Sequence, residues 1–118
     1  MKSVVILKNG TKKEVNELKQ WYSECVRHLM RNYVDTLEVG ATPKFKGPAD
    51  KANWLACNEA MATLDPQEVK LVCNLYRRGD TLADNIYRLA TARRVSQGYY
   101  WRLVDDIEYK VAKNRGLI

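Results

Sequence analysis

Apolar residues recur at steps of three and four along most of this chain, a period typical of amphipathic α-helices. Between Val15 and Tyr33 that period is sustained long enough to predict one long helix over about residues 12–35. Thr11 and Glu14 match a capping box at its start. The apolar run Val4–Leu7 predicts a short strand or arm with no partner strand, because the residues that follow it predict helix.

Four shorter helices follow a segment rich in glycine and proline. That segment, residues 35–50, predicts a linker that is either a flexible connector or, through Lys44 and Lys46, a phosphate-contacting arm. The helices are predicted at about residues 49–63, 67–77, 82–92 and 97–114. Asp65, Pro66 and Glu68 mark a helix start, Ser96 caps the last helix and Gly116 ends it.

This pattern predicts an all-α protein, a helical bundle with a long N-terminal helix and a C-terminal helix-turn-helix. Its 118 residues fit one domain. Within it, residues 1–48 are assigned to an N-terminal arm, the long helix and the linker. Residues 49–118 are assigned to a helix-turn-helix DNA-binding unit.

The stretch from Asp84 to Ile107 carries the helix-turn-helix prediction. A short helix, a turn of about four residues and a longer helix have the required spacing. Small Ala90 permits close approach of the helices, and Val95 is expected to fill the angle between them. Arg94 occupies the left-handed turn position where glycine is commonest, at roughly 1 kcal/mol of strain.

If Tyr100 and Leu103 anchor the last helix, the residues at its start point outward. Glutamine can read adenine and arginine can read guanine with two hydrogen bonds each, and a glycine allows close approach to DNA. A helix N-terminus and the arginines of the turn suit phosphates. The predicted DNA-binding residues are therefore Arg93, Arg94, Ser96, Gln97, Gly98, Tyr99, Trp101 and Arg102. Further phosphate contacts are expected from Arg77, Arg78, Thr81 and Arg88.

Charge supports a polyanionic partner. The chain has a formal net charge of +6, and residues 66–118 account for four of those charges. Seven of the ten basic residues in that part are arginine, the side chain best suited to phosphate and guanine.

The composition disfavours metal, cofactor, catalytic and membrane functions. Three cysteines without a CxxC pair and a single histidine, His28, make a zinc site implausible, and the thiols are expected to be free in a reducing cytoplasm. No apolar run approaches the ~18 residues of a membrane span, and no glycine-rich phosphate loop occurs. The acidic residues Asp105, Asp106 and Glu108 are expected to balance nearby cations such as Lys110 and Arg102. We therefore expect a cytoplasmic non-enzyme with no cofactor.

Several runs in the C-terminal half resemble RinA/ArpU-like phage transcriptional regulators: Leu64–Leu71, Leu75-Tyr76, Val95-Ser96, Tyr99-Tyr100 with Arg102, and Val111–Ile118. That family is similar to the promoter-reading helix-turn-helix of sigma factors. The resemblance implies a small phage- or prophage-encoded activator whose DNA-facing positions are Ser96, Gln97, Gly98, Trp101 and Arg102. The chain departs from the pattern at Trp101 and at Arg93-Arg94, where Leu-Gly is expected.

The sequence thus predicts a sequence-specific double-stranded DNA-binding transcription regulator. One alternative is a phage DNA-packaging recognition subunit like a small terminase. A second is a sigma-like adaptor that binds RNA polymerase through the long helix. That helix is also the predicted surface for a homodimer.

Overall fold

A computed structural model of the protein describes the backbone of residues 4–6 and 12–118 and the side chains of residues 21–118. The all-α class is confirmed, and a short hairpin precedes the helices. The elements in chain order are β1 (Val4–Ile6), β2 (Lys12–Glu14), α1 (Val15–Glu38), α2 (Pro48–Met61), α3 (Pro66–Leu75), α4 (Leu82–Arg93) and α5 (Gln97–Arg115).

The hairpin corrects the prediction for the N-terminus. β1 pairs antiparallel with β2, with Val4 opposite Glu14 and Ile6 opposite Lys12, so the expectation of no partner strand was wrong. Lys12–Glu14 contains no apolar residue, so its pattern could not distinguish helix from strand. The predicted cap at Thr11 and the last residue of the predicted strand, Leu7, lie outside the described residues.

The linker is shorter than predicted because both flanking helices extend into it. α1 continues to Glu38 and α2 begins at Pro48. The ring of Phe45 lies 6.5 Å from that of Trp54, which in turn lies 4.4 Å from the ring of Tyr33 on α1. These aromatic contacts hold the linker against the two helices that it joins.

The predicted ends of the C-terminal helices are confirmed. Asp65 and Glu68 form a capping box at the start of α3, with Pro66 in its first turn. The Ser96 side chain accepts a hydrogen bond from the backbone N–H of Tyr99 and caps α5. Gly116 ends α5 in the left-handed conformation, with φ 79°.

α2 packs against α5 through small side chains. Ala56 and Ala60 are buried, whereas the larger Leu55 is 43% exposed. The two helices run antiparallel, since Asn114 donates to the carbonyl oxygen of Ala56 (3.1 Å) and Lys110 donates to the hydroxyl of Thr63 (3.0 Å). The buried side of α2 thus carries these small side chains together with Cys57 and Met61.

One carboxylate lies inside the hydrophobic core. Glu108 on α5 is fully buried, and its Oε2 accepts hydrogen bonds from Nε of Arg27 and from the hydroxyl of Tyr76, each at 3.0 Å. These bonds join α5 to α1 and to the end of α3. The expectation that Glu108 balances cations on its own helix was wrong, whereas Asp106 does pair with Lys110 at 2.9 Å.

Replacing Glu108 with Gln is expected to lower the free energy of unfolding by about 2–4 kcal/mol, because it removes the charge that Arg27 requires. The Arg27 side chain is 33% exposed, which keeps the loss below that of a fully enclosed ion pair. The matched control is Asp106→Asn, which breaks an exposed pair on the same helix and should cost no more than about 0.5 kcal/mol. Urea denaturation measures both, and equal losses would contradict the structural role of Glu108.

The three free thiols are expected to react at different rates. Burial raises the pKa of Cys57 to about 12. The pKa of Cys73 is also raised, mainly by burial and to a smaller extent by the negative charge of Glu38. Cys25, by contrast, is exposed. At pH 8 a pKa three units above normal reduces the thiolate of Cys57 about a thousandfold. Iodoacetamide labelling followed by peptide mass spectrometry should modify Cys25 first and Cys57 only in urea. Early labelling of Cys57 in the folded protein would argue against its burial.

Candidate nucleic-acid interface

The connection between α4 and α5 is a short turn with a left-handed residue at Arg94, the position where the sequence predicted one. α4 ends at Arg93 and α5 begins at Gln97, with three residues between them. Arg94 adopts the left-handed conformation (φ 55°, ψ 40°), and the backbone N–H of Val95 donates to the carbonyl oxygen of Ala90 at 3.0 Å. The turn therefore forms without glycine, and it projects the Arg94 side chain into solvent.

The start of α5 is exposed on its outer side. Six predicted residues of the turn and the first helical turn are exposed: Arg93, Arg94, Ser96, Gln97, Gly98 and Tyr99, the last at 49%. Arg102, one turn further along, is also exposed, and its Nε donates to the carbonyl oxygen of Gly98 at 3.3 Å. Buried Tyr100 anchors this part of the helix, as predicted.

Two side chains differ from their predicted positions. Trp101 is partly buried against the core, and the guanidinium carbon of Arg27 lies 5.8 Å from the centre of its ring. Trp101 therefore faces α1 rather than pointing straight outward. Val95 is 38% exposed and does not fill the angle between α4 and α5, although Ala90 is buried there as expected.

Four residues expected to add phosphate contacts are engaged within the protein. Arg77 pairs with Glu38 (3.3 Å), Arg78 with Asp35, and Arg88 with Asp80 (3.4 Å). The hydroxyl of Thr81 accepts a hydrogen bond from the N–H of Asp84 as the cap of α4. By contrast, no side chain of the described region forms an ion pair with Arg93, Arg94 or Arg102.

Acidic groups bound this basic surface on two sides. Along α5, Asp105 and Asp106 lie three and four residues after Arg102, about one helical turn away. On the α3 side, a groove of about 580 Å³ runs beside Tyr99 and Arg93 and has Asp65 and Glu68 on its rim. Carboxylates repel phosphates, so this basic surface extends over the α4–α5 turn and the first two turns of α5 but not beyond the flanking acidic groups.

Sequence reasoning missed two residues outside the predicted site. Tyr87 on α4 is 61% exposed, and it lies outside the three- and four-residue spacing of Leu82, Ile86 and Leu89, which could have identified it. Arg27 lies on α1, far from α5 in sequence, and no local pattern links it to Trp101. A cleft of about 1250 Å³ lies between α1 and the start of α4, and Arg27 and Trp101 are among the residues that line it. No local sequence pattern predicted this cleft either.

No group of three or more His, Cys, Asp or Glu side chains suited to a metal occurs in the described part of the chain. His28 is exposed on α1. None of the helices described in residues 12–118 has the length and apolar character that crossing a membrane requires. Comparisons with protein-family models, with curated proteins and with solved structures find no match to this chain.

The left-handed turn residue gives a stability prediction. Arg94→Gly is expected to raise the free energy of unfolding by about 0.5–1 kcal/mol, because glycine adopts positive φ without a Cβ clash. The control Arg94→Ala removes the same charge but keeps the clash, so it should bring no gain. Urea denaturation of both variants tests this, and equal stabilities would mean that the turn is not strained.

Proposed function

We propose that this protein is a sequence-specific double-stranded DNA-binding transcription regulator that inserts the start of α5 into the major groove. The observation that carries the proposal is the exposed, cation-rich start of α5. There Gln97, Gly98 and Arg102 face solvent, and Arg93 and Arg94 flank them. An α-helix fits the major groove of B-DNA, where each base pair presents a distinct set of hydrogen-bonding groups.

Base discrimination is assigned to Arg102 and Gln97. The bond of Arg102 to the carbonyl oxygen of Gly98 leaves guanidinium N–H groups able to donate to the two acceptors of guanine. Gln97 lies in the first turn of α5 and can make the two-bond contact with adenine. Trp101 contributes by packing this part of the helix against α1 rather than by touching bases.

Phosphate binding is assigned to the turn and the helix N-terminus. Arg93 and Arg94 carry charges that no described carboxylate neutralises, so they are available to a phosphate without breaking an ion pair. Ser96 and the first N–H groups of α5 provide hydrogen-bond donors and the positive end of the helix dipole. Such contacts position a protein on DNA without reading the sequence.

The resemblance to RinA/ArpU-like regulators extends the proposal to a phage or prophage protein that acts in the host cytoplasm. A homodimer through α1 and contact with RNA polymerase belong to the same proposal. In the described part of α1, the outward side chains include Trp21, Glu24 and His28.

Selection of bound fragments from random duplex DNA tests the proposal. The wild-type protein should enrich one short motif, and its binding should weaken steeply with salt as counterions are released. The double variant Arg93→Ala/Arg94→Ala should bind all duplexes less well. The matched control is Arg77→Ala, which removes a charge already paired with Glu38 and should bind nearly as the wild type does. Absence of an enriched motif would refute sequence-specific binding.

Arg102→Ala is expected to weaken the binding free energy for the selected duplex by about 1–3 kcal/mol and to relax the base preference at one base pair. Arg93→Ala should weaken selected and random duplexes alike, and should reduce the slope of log affinity against log salt by about one. Fluorescence-anisotropy titrations at several salt concentrations measure both. Equal losses of Arg102→Ala on the two duplexes would contradict its base-reading role.

A further inference from the structure

Arg27 lies between two side chains of the same helix. Its Nε donates to Oε2 of Glu108 at 3.0 Å, and its guanidinium carbon lies 5.8 Å from the centre of the Trp101 ring. Trp101 and Glu108 are seven residues, or about two turns, apart on α5 and so lie on nearly the same side of it. Arg27 of α1 thus contacts α5 at two positions that lie about two helical turns apart.

The two contacts involve different parts of α5. Glu108 is buried in the middle of α5, and its bond with Arg27 fixes α5 against α1 in the core. Trp101 lies in the first two turns, among the proposed DNA-reading residues, and is only partly buried. The cation–π contact of Arg27 with Trp101 therefore extends the region of α5 held by α1 from the core towards the exposed surface.

We propose that Arg27 is a positioning residue that sets the orientation of the DNA-reading turns of α5. This inference rests on the proposed function. Two-bond contacts with base edges tolerate small displacements poorly, whereas a phosphate contact can be made from many directions by a long flexible side chain. Loss of Arg27 should therefore reduce discrimination between duplexes more than it reduces DNA binding as such.

The chain offers a matched control. Arg31 lies one turn further along α1, lines the same cleft and donates to the backbone carbonyl oxygen of Asp80 at 3.0 Å. Arg31→Gln and Arg27→Gln remove the same charge from the same helix, but only Arg27 contacts Trp101 and Glu108. Any effect of net charge on DNA binding is common to both variants and cancels in their comparison.

Two measurements test the assignment. The first is the ratio of affinities for the selected and a random duplex, which should fall about tenfold in Arg27→Gln and stay within about twofold of wild type in Arg31→Gln. The second is fluorine NMR of protein containing fluorotryptophan, with the signals of the three tryptophans assigned by Trp→Phe substitution. The Trp101 signal should shift or broaden in Arg27→Gln and remain in place in Arg31→Gln.

Arg27→Lys keeps the inference testable if Arg27→Gln does not fold. Lysine retains a charge for Glu108, but its single ammonium cannot contact Glu108 and Trp101 at once as the larger guanidinium does, so the affinity ratio should fall while the protein remains folded. An unchanged ratio in folded Arg27 variants would overturn the assignment. The Trp101 fluorine signal is measured without DNA and therefore reports on α5 independently of the proposed function. An unchanged chemical shift and line width in the Arg27 variants would show that Arg27 does not position the helix.

Discussion

The arrangement of the helices depends on the burial of one charge. A carboxylate moved out of water loses several kcal/mol of hydration, and within the described part of the chain Glu108 regains part of it from Arg27 of α1 and from Tyr76 at the end of α3. Burial, and then the charge of Glu108, raises the pKa of Tyr76 well above its usual value, so its hydroxyl keeps the proton that it donates. Other relative positions of α1, α3 and α5 would leave this charge without its donors, which makes the observed packing specific.

Ion pairing divides seven of the nine arginines into two groups. Arg27, Arg77, Arg78 and Arg88 pair with carboxylates and stabilise contacts between helices or at the α3–α4 loop. Arg93, Arg94 and Arg102 lie where the described chain offers them no carboxylate. Net charge alone would treat these seven as equivalent, but among them only Arg93, Arg94 and Arg102 can neutralise a phosphate without giving up an existing ion pair.

The character of α5 changes along its length for a related reason. Its later turns carry Asp106 paired with Lys110 and lie against α2, where Asn114 and Arg115 form hydrogen bonds to Ala56 and Asn53. Its first two turns extend beyond that packing and expose Gln97 and Arg102. One helix thus serves as a core element over most of its length and as the proposed recognition surface at its start.

The sequence by itself determined the five helices, the caps of α3 and α5 and the exposed residues at the start of α5. Periodicity, capping hydrogen bonds and a left-handed turn at Arg94 depend on residues close together in the chain, so local patterns are sufficient to predict them. It could not determine the inward face of α2, the partner strand of β1, the side of α5 to which Trp101 turns, or which arginines are engaged. Those features depend on contacts between residues far apart in sequence, such as Arg27 with Glu108, and on how closely small side chains let two helices approach. Only the tertiary structure brings these residues together, so only it decides which side chains remain available to a partner.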